Sequence, residues 1–175
     1  MKTKKNLKKN KTKKLYPKKY IPKYLSNSNA ETIKKEIDRS QKMYKKGKYY
    51  IRKNVSTMKI KPSKHVLKAK KIYKLKNMLI NKELEKATGC KIEGLQQIMK
   101  KGQGAYFTGS RPGQTPTSWG YARLASAITG GKSAAIDFHI LEKYCNHKTS
   151  KAYKLALKSK QKHKKGTRKV PKRLI

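Results

Sequence analysis

One short stretch of this 175-residue sequence carries residue types arranged for chemistry: Ser110-Arg111-Pro112-Gly113-Gln114-Thr115, followed by Pro116-Thr117-Ser118-Trp119-Gly120-Tyr121-Ala122-Arg123. A Gly-bearing turn ahead of a helix N-terminus leaves backbone N–H groups free at the positive end of the helix dipole, which suits an anion. Arg111 adds a forked cation. Ser110, Arg111, Gln114, Thr115 and Arg123 are therefore a candidate anion site. The two arginines have other uses open to them: bracing turn carbonyls, which is the leading expectation, or pairing with Asp137 or Glu142. The later run Gly130-Gly131-Lys132-Ser133 is not a phosphate loop, because Ser126 stands where the first Gly of G-x-x-x-x-G-K-[ST] belongs.

Nothing in the chain points to catalysis. A general acid–base pair wants two positioned carboxylates, and this stretch has only Asp137 and Glu142 nearby. Cys90, Cys145, His139 and His147 could form a nucleophile pair or a metal site, but Cys145-Asn146-His147 is too tight for ordinary zinc spacing. No enzyme activity, metal or cofactor is expected. Two cysteines so far apart in sequence exclude a disulfide-stapled miniprotein and fit a reducing compartment.

Charge supplies the second line of argument. Lys plus Arg number 49 against 8 Asp plus Glu, a formal net charge of +41, and 43 of the bases are Lys. Such self-repulsion calls for an acidic partner. Nucleic acid comes first and an anionic lipid surface second. Lys binds backbone phosphate as a point charge, whereas Arg is favoured for forked contacts with base edges. The expected partner is thus the phosphate backbone, met without regard to sequence. The terminal residues expected to meet it are Lys4, Lys5, Lys8, Lys9, Lys13, Lys14, Lys18 and Lys19 at one end. At the other they are Lys162, Lys164, Lys165, Arg168, Lys169, Lys172 and Arg173. No run of about 18 apolar residues is present, so no membrane span is expected. The N-terminus has charge with no apolar stretch behind it, unlike a secretory signal.

Patterning divides the chain into four. Residues 1–25 hold eleven Lys and no acid. They read as a disordered basic arm, whose end either docks onto the folded part through Tyr20, Ile21, Tyr24 and Leu25, the leading expectation, or stacks its tyrosines on bases while Lys meets phosphate. Residues 26–88 form a Lys-rich helical region. Ser28 or Asn29 caps a helix over about 30–46 with a stripe of Ile33, Ile37 and Tyr44, and Gly47 stops it. Lys48–Arg52 is suited to a short extended segment. Further helices are predicted over about 63–74, facing inward through Val66, Leu67, Ala69, Ile72 and Tyr73, and from Asn77 or Asn81 to just before Gly89.

Residues 89–145 form a compact motif region with nine of the eleven glycines and the only Trp among residues 89–142. Two Gly-rich turns flank a helix capped by Thr115 or Thr117, with Trp119, Ala122, Arg123 and Ser126 on one face and Trp119 buried. Gly130-Gly131 ends it. Another helix follows from about Ala134 to Cys145, burying Ile136, Ile140 and Leu141. Residues 146–175 make a basic C-terminal tail, helical at first and solvated from Ser159 onward. The fold class is therefore mainly α: a small helical domain with Gly-rich loops, room for a short β segment, and disordered basic tails.

The run GAYFTGSRPGQTPTSWGYARLASAITGGKSAAIDFHILEKYC resembles an uncharacterised domain of large DNA viruses of eukaryotes, of the mimivirus and chlorella-virus kind. The upstream IDRSQKMYKKGKYYIRKNVSTMKIKPSKHVLKAKKIYKL is similar to a Lys-rich element that accompanies such domains. The likeness spans about residues 15–145. It brings no established activity and no functional residues. It implies a viral origin and a place in the virion, with cytoplasm or nucleus as the site in the infected cell. The partners it adds are other virion proteins or a second copy of the chain. The expected function is a non-enzymatic virion protein that neutralises nucleic acid; the alternative is a minor capsid or scaffold protein whose tails contact acidic capsid surfaces.

Overall fold

A computed structural model describes residues 14–55, 62–163 and 171–173, and it is mainly helical. The expectation of disordered basic tails falls on residues 1–13, 164–170 and 174–175, outside the described residues. The first helix, α1 (Asn27–Tyr44), starts one turn earlier than predicted because the Ser26 side chain accepts the Asn29 N–H. Its inner face is Ala30, Ile33, Ile37 and Ser40, and the chain reverses at Gly47 with φ +72°. Helices α2 (Lys64–Tyr73) and α3 (Lys82–Thr88) lie where their caps predict: Asn81 accepts the Leu84 N–H and Gly89 is left-handed at the far end. Leu67 is an exception to the inward set, being 55% exposed.

The next element differs from the sequence reading. The first of the two predicted Gly-rich turns is narrower than the run of glycines from Gly102 to Gly113 suggests: Gly102 and Gly104 lie inside α4 (Ile92–Thr108), and the turn is left to Gly109 and Gly113. The reason is packing against α5 (Pro116–Ile128). A Cβ on Gly102 would stand 2.7 Å from the Gly120 Cα, so the two glycines let two helix backbones touch. Gly102→Ala should cost about 1–3 kcal/mol by overpacking. Gly104→Ala meets mainly the Tyr44 hydroxyl, at 2.9 Å, and should cost less because that side chain can swing away. Urea denaturation of both variants checks this; alanine's better helix propensity favours both by about 0.5–1 kcal/mol, so Gly102→Ala proving as stable as Gly104→Ala would show that the backbone contact does not set the cost.

Thr115 caps α5 in a reciprocal box with Ser118, and Pro116 opens the first turn. The buried residues of α5 are Gly120, Leu124, Ala125, Ser126, Ala127 and Ile128, so of the predicted face Trp119, Ala122, Arg123 and Ser126 only Ser126 is fully enclosed. Trp119 is only half-buried. Its truncation therefore costs less than the about 3–5 kcal/mol of a fully buried aromatic. The predicted helix from Ala134 to Cys145 is two pieces, α6 (Lys132–Ile136) and α7 (Phe138–Tyr144), broken at Asp137. The break leaves Ile136 at 37% exposure while Ile140 and Leu141 are buried as expected.

Helix α8 (Lys151–His163) runs past Ser159, where a solvated tail was expected. Ala152, Ala156 and Ser159 face inward, and the Ser159 hydroxyl donates to the Gly131 carbonyl at 2.8 Å. One hydrophobic cluster extends from Ala69 on α2 to Ala156 on α8. A smaller one joins Tyr16 and Ile21 to the α1 face. Docking of the arm is thus seen at Tyr20, Ile21 and Leu25, while Tyr24 is 74% exposed.

Two features link distant parts of the chain. Cys90 and Cys145 form a disulfide between segments already joined by Lys91 N–H to Tyr144 C=O (2.8 Å) and Asn146 N–H to Gly89 C=O (2.9 Å). A cross-link of this span contributes about 2–4 kcal/mol. The sequence-based reading of two separate thiols is corrected accordingly. The second link is a strand pair, β1 (Tyr16–Pro17) with β2 (Lys172–Arg173), antiparallel and extended by Lys18 N–H to Pro171 C=O at 2.9 Å. The β segment therefore lies at the termini, and Lys48–Arg52 has no regular structure.

Candidate anion site

The loop between α4 and α5 meets α1 and the segment after it, and Arg52 is the residue that joins them. Its backbone N–H donates to the Tyr106 hydroxyl at 3.1 Å. Its guanidinium carbon sits 3.9 Å from the centre of the Tyr106 ring. Nη2 donates to the Ser110 hydroxyl, which in turn donates to the Arg111 carbonyl at 3.2 Å. Tyr106 and Ser110 are each 1% exposed, so the planar fork is held on both sides. Nη1 is buried and has no hydrogen-bond partner among the described residues. A buried unpaired donor is costly, about 1–3 kcal/mol or more for a charged group.

A cleft of about 20 Å³ lies beside this group, and Arg52, Ser110, Arg111, Gly113 and Gln114 line it together with Glu36. Both Glu36 oxygens accept the Tyr50 hydroxyl at 3.0 Å, and one also takes the Lys53 N–H at 2.8 Å. Lys19 and Tyr20 close on the same place. The Tyr20 ring lies against Gly109, where a Cβ would stand 3.0 Å from a ring carbon and where φ of +136° is strained for any other residue. Lys19 is exposed overall, but its partial enclosure and the Arg111 charge both lower its pKa. Burial raises the Tyr20 pKa, while Arg52 and Arg111 pull it back down. None of Lys19, Arg52 and Arg111 forms an ion pair among the described residues.

Three of the five residues predicted for this site, Ser110, Arg111 and Gln114, are brought together here. The other two are placed elsewhere. Thr115 caps α5, accepting the Ser118 N–H at 3.1 Å. Arg123 grips Asp137 with Nε at 2.7 Å and Nη2 at 2.8 Å, and Lys101 adds a third contact at 2.8 Å. The expectation that Arg123 braces turn carbonyls gives way to its alternative, the Asp137 pair. Burial pushes the Asp137 pKa up, but hydrogen bonds from Arg123 and Lys101 outweigh it and hold the group below its ordinary value.

Arg52 was not in the predicted set: it is 58 residues from Ser110, and only its being one of six Arg in so Lys-rich a chain marks it in the sequence. The cysteines, being bonded to each other, are unavailable to the histidines. His147 bonds the Glu142 carbonyl at 2.6 Å and stacks on Tyr153, and His139 is exposed. Among the described residues no group of three His, Cys, Asp or Glu could hold a metal.

The basic residues expected to meet phosphate are only partly described. Lys4, Lys5, Lys8, Lys9, Lys13, Lys164, Lys165, Arg168 and Lys169 lie outside the described residues. Lys14 is tied to Asp38 and Gln41, both at 2.6 Å. Lys18, Lys19, Lys162 and Lys172 are exposed, and the Arg173 backbone pairs with Tyr16. Among the described residues no helix is long and apolar enough to cross a membrane.

Fold and site together define a helical protein with a cationic cleft fed by its own N-terminal segment. The chain belongs to a family of unknown function, DUF5824, whose model matches residues 17–144. No curated protein and no solved structure matches it. The matched span holds every residue named at the cleft but leaves out α8 and both ends of the chain.

Proposed function

We propose that this protein is a non-enzymatic, virion-associated component of a large DNA virus that neutralises nucleic acid by holding its phosphate backbone without reading sequence. The observation that carries this is the strand pair β1–β2, which in a +41 chain sets Lys18 and Lys19 beside Lys172 although they come from opposite ends of the sequence. Cations from both ends of the described chain are therefore concentrated at one place. Concentrated Lys displaces counterions from a polyanion and binds it through that release. The viral origin rests on the resemblance of the SRPGQTPTSWGYARLASAITGGK stretch.

A second reading, a minor capsid or scaffold protein, is favoured by exposed apolar side chains at Tyr49 (73%) and Ile51 (63%). Titration of two unrelated duplexes of equal length, alongside a poly-glutamate peptide, separates the two. Equal affinity for the duplexes and weaker binding of the peptide is the expected result. A strong preference for one duplex would remove sequence independence, and tighter binding of the peptide would favour the capsid reading.

A further inference from the structure

Three cations meet at the α4–α5 loop with no carboxylate paired to any of them, although the chain does pair Arg123 and Lys101 with Asp137 elsewhere. Lys19 and Arg111 repel each other, while Glu36 alone among the described carboxylates attracts Arg52. An anion in the cleft offsets that repulsion and adds a charge partner beside Arg52, whose Nη1 is buried without one among the described residues. Glu36, the acid on its wall, already accepts Tyr50 and Lys53 hydrogen bonds, so its charge is partly spent. Room of about 20 Å³ admits one or two oxygen-sized groups, not a base or a sugar.

We propose that this cleft binds a single phosphate group, with its oxygens meeting the wall that Arg52, Arg111 and Gln114 share. Arg111 and Lys19 neutralise the part that stays in solvent. Arg52 is pre-set for the task, because Tyr106 and Ser110 fix its plane before any ligand arrives. A fork held in that way loses little freedom on binding, and phosphate is the anion whose paired oxygens match it. The source of the phosphate is either a nucleic-acid end or the free ion. Only the first of these rests on the nucleic-acid reading above.

The test uses the full chain with inorganic phosphate, at constant ionic strength made up with chloride, followed by calorimetric titration and by the shift in melting temperature. Arg111→Gln is the main variant, since Arg111 is exposed and its loss leaves the core intact. Lys148→Gln, an exposed residue on the α7–α8 connection, is the equal-charge control. Saturable binding is expected in the wild type and the control, weakened about tenfold in Arg111→Gln, as for one lost charge-assisted contact. Absence of saturable binding, or identical behaviour of all three proteins, overturns the proposal. A 5′-phosphorylated oligonucleotide compared with its 5′-hydroxyl twin then separates the sources. Tighter binding of the phosphorylated strand assigns the site to nucleic-acid ends, and equal binding with the inorganic-phosphate response intact assigns it to the free ion. Loss of all oligonucleotide binding with that response intact would sink the nucleic-acid reading alone.

Discussion

Raising salt from about 50 to about 200 mM should weaken duplex DNA binding by about 10³–10⁵, as for about six to ten neutralised phosphates. The structure changes how the contribution of the two ends is best measured. Truncation at Ser159 would remove the last turn of α8, its bond to Gly131 and strand β2 along with the charge. A cleaner variant deletes residues 1–13 and replaces Lys164, Lys165, Arg168 and Lys169 with Gln, leaving Lys172 and Arg173 to pair with β1. Its log–log salt slope should be markedly flatter than that of the wild type, while Lys18, Lys19 and Lys172 keep some binding. An unchanged slope would show that the Lys on the helical surfaces, not the chain ends, meet the phosphates.

The second large effect is on stability. Arg123→Met should cost about 3–5 kcal/mol, because it strips a bidentate partner from a carboxylate that stays buried. The Asp137 side chain is fully buried and Arg123 is only 20% exposed, so solvent screens the pair weakly. Lys101→Met, at a residue 40% exposed, should cost about 1 kcal/mol or less. The pair also sets an acid limb. With the folded-state value of Asp137 held below the ordinary 3.8, its contribution is complete above that pH and is lost as pH falls through the lower folded value. Thermal melts of the wild type between pH 7 and strong acid should show that loss, and Asp137→Asn should be destabilised but flatter over the same range. A wild-type acid limb matched in Asp137→Asn would assign it to other carboxylates.

What could be read from the sequence was what is local. Asn81, Gly89, Thr115, Pro116 and Gly130 announce helix ends through hydrogen bonds and dihedrals within four residues, and each ends or starts a helix as expected. Gly102 and Gly104 misled because a glycine's two uses, turning and letting a backbone approach, look alike in one dimension. Only the position of Gly120 against Gly102 tells them apart. The same blindness covers Cys90 with Cys145, 55 residues apart, and Arg52 with Ser110, 58 apart. At the cleft, the Ser110–Gln114 loop could be picked out from its Gly, Arg and Pro pattern. Its buried cation came from a segment whose Tyr49-Tyr50-Ile51 pattern suggested a strand.

The strand pair also decides how many ways the protein can hold on. It sets Lys18 from one end of the described chain beside Lys172 from the other. On the nucleic-acid reading proposed above, a backbone held by one of these cations stays within reach of the other, so the second contact is made at a high effective concentration rather than from bulk. Residence time on a strand would then be governed by the chance that both sides of the ladder let go together, so a few weak Lys contacts on each side would hold for long.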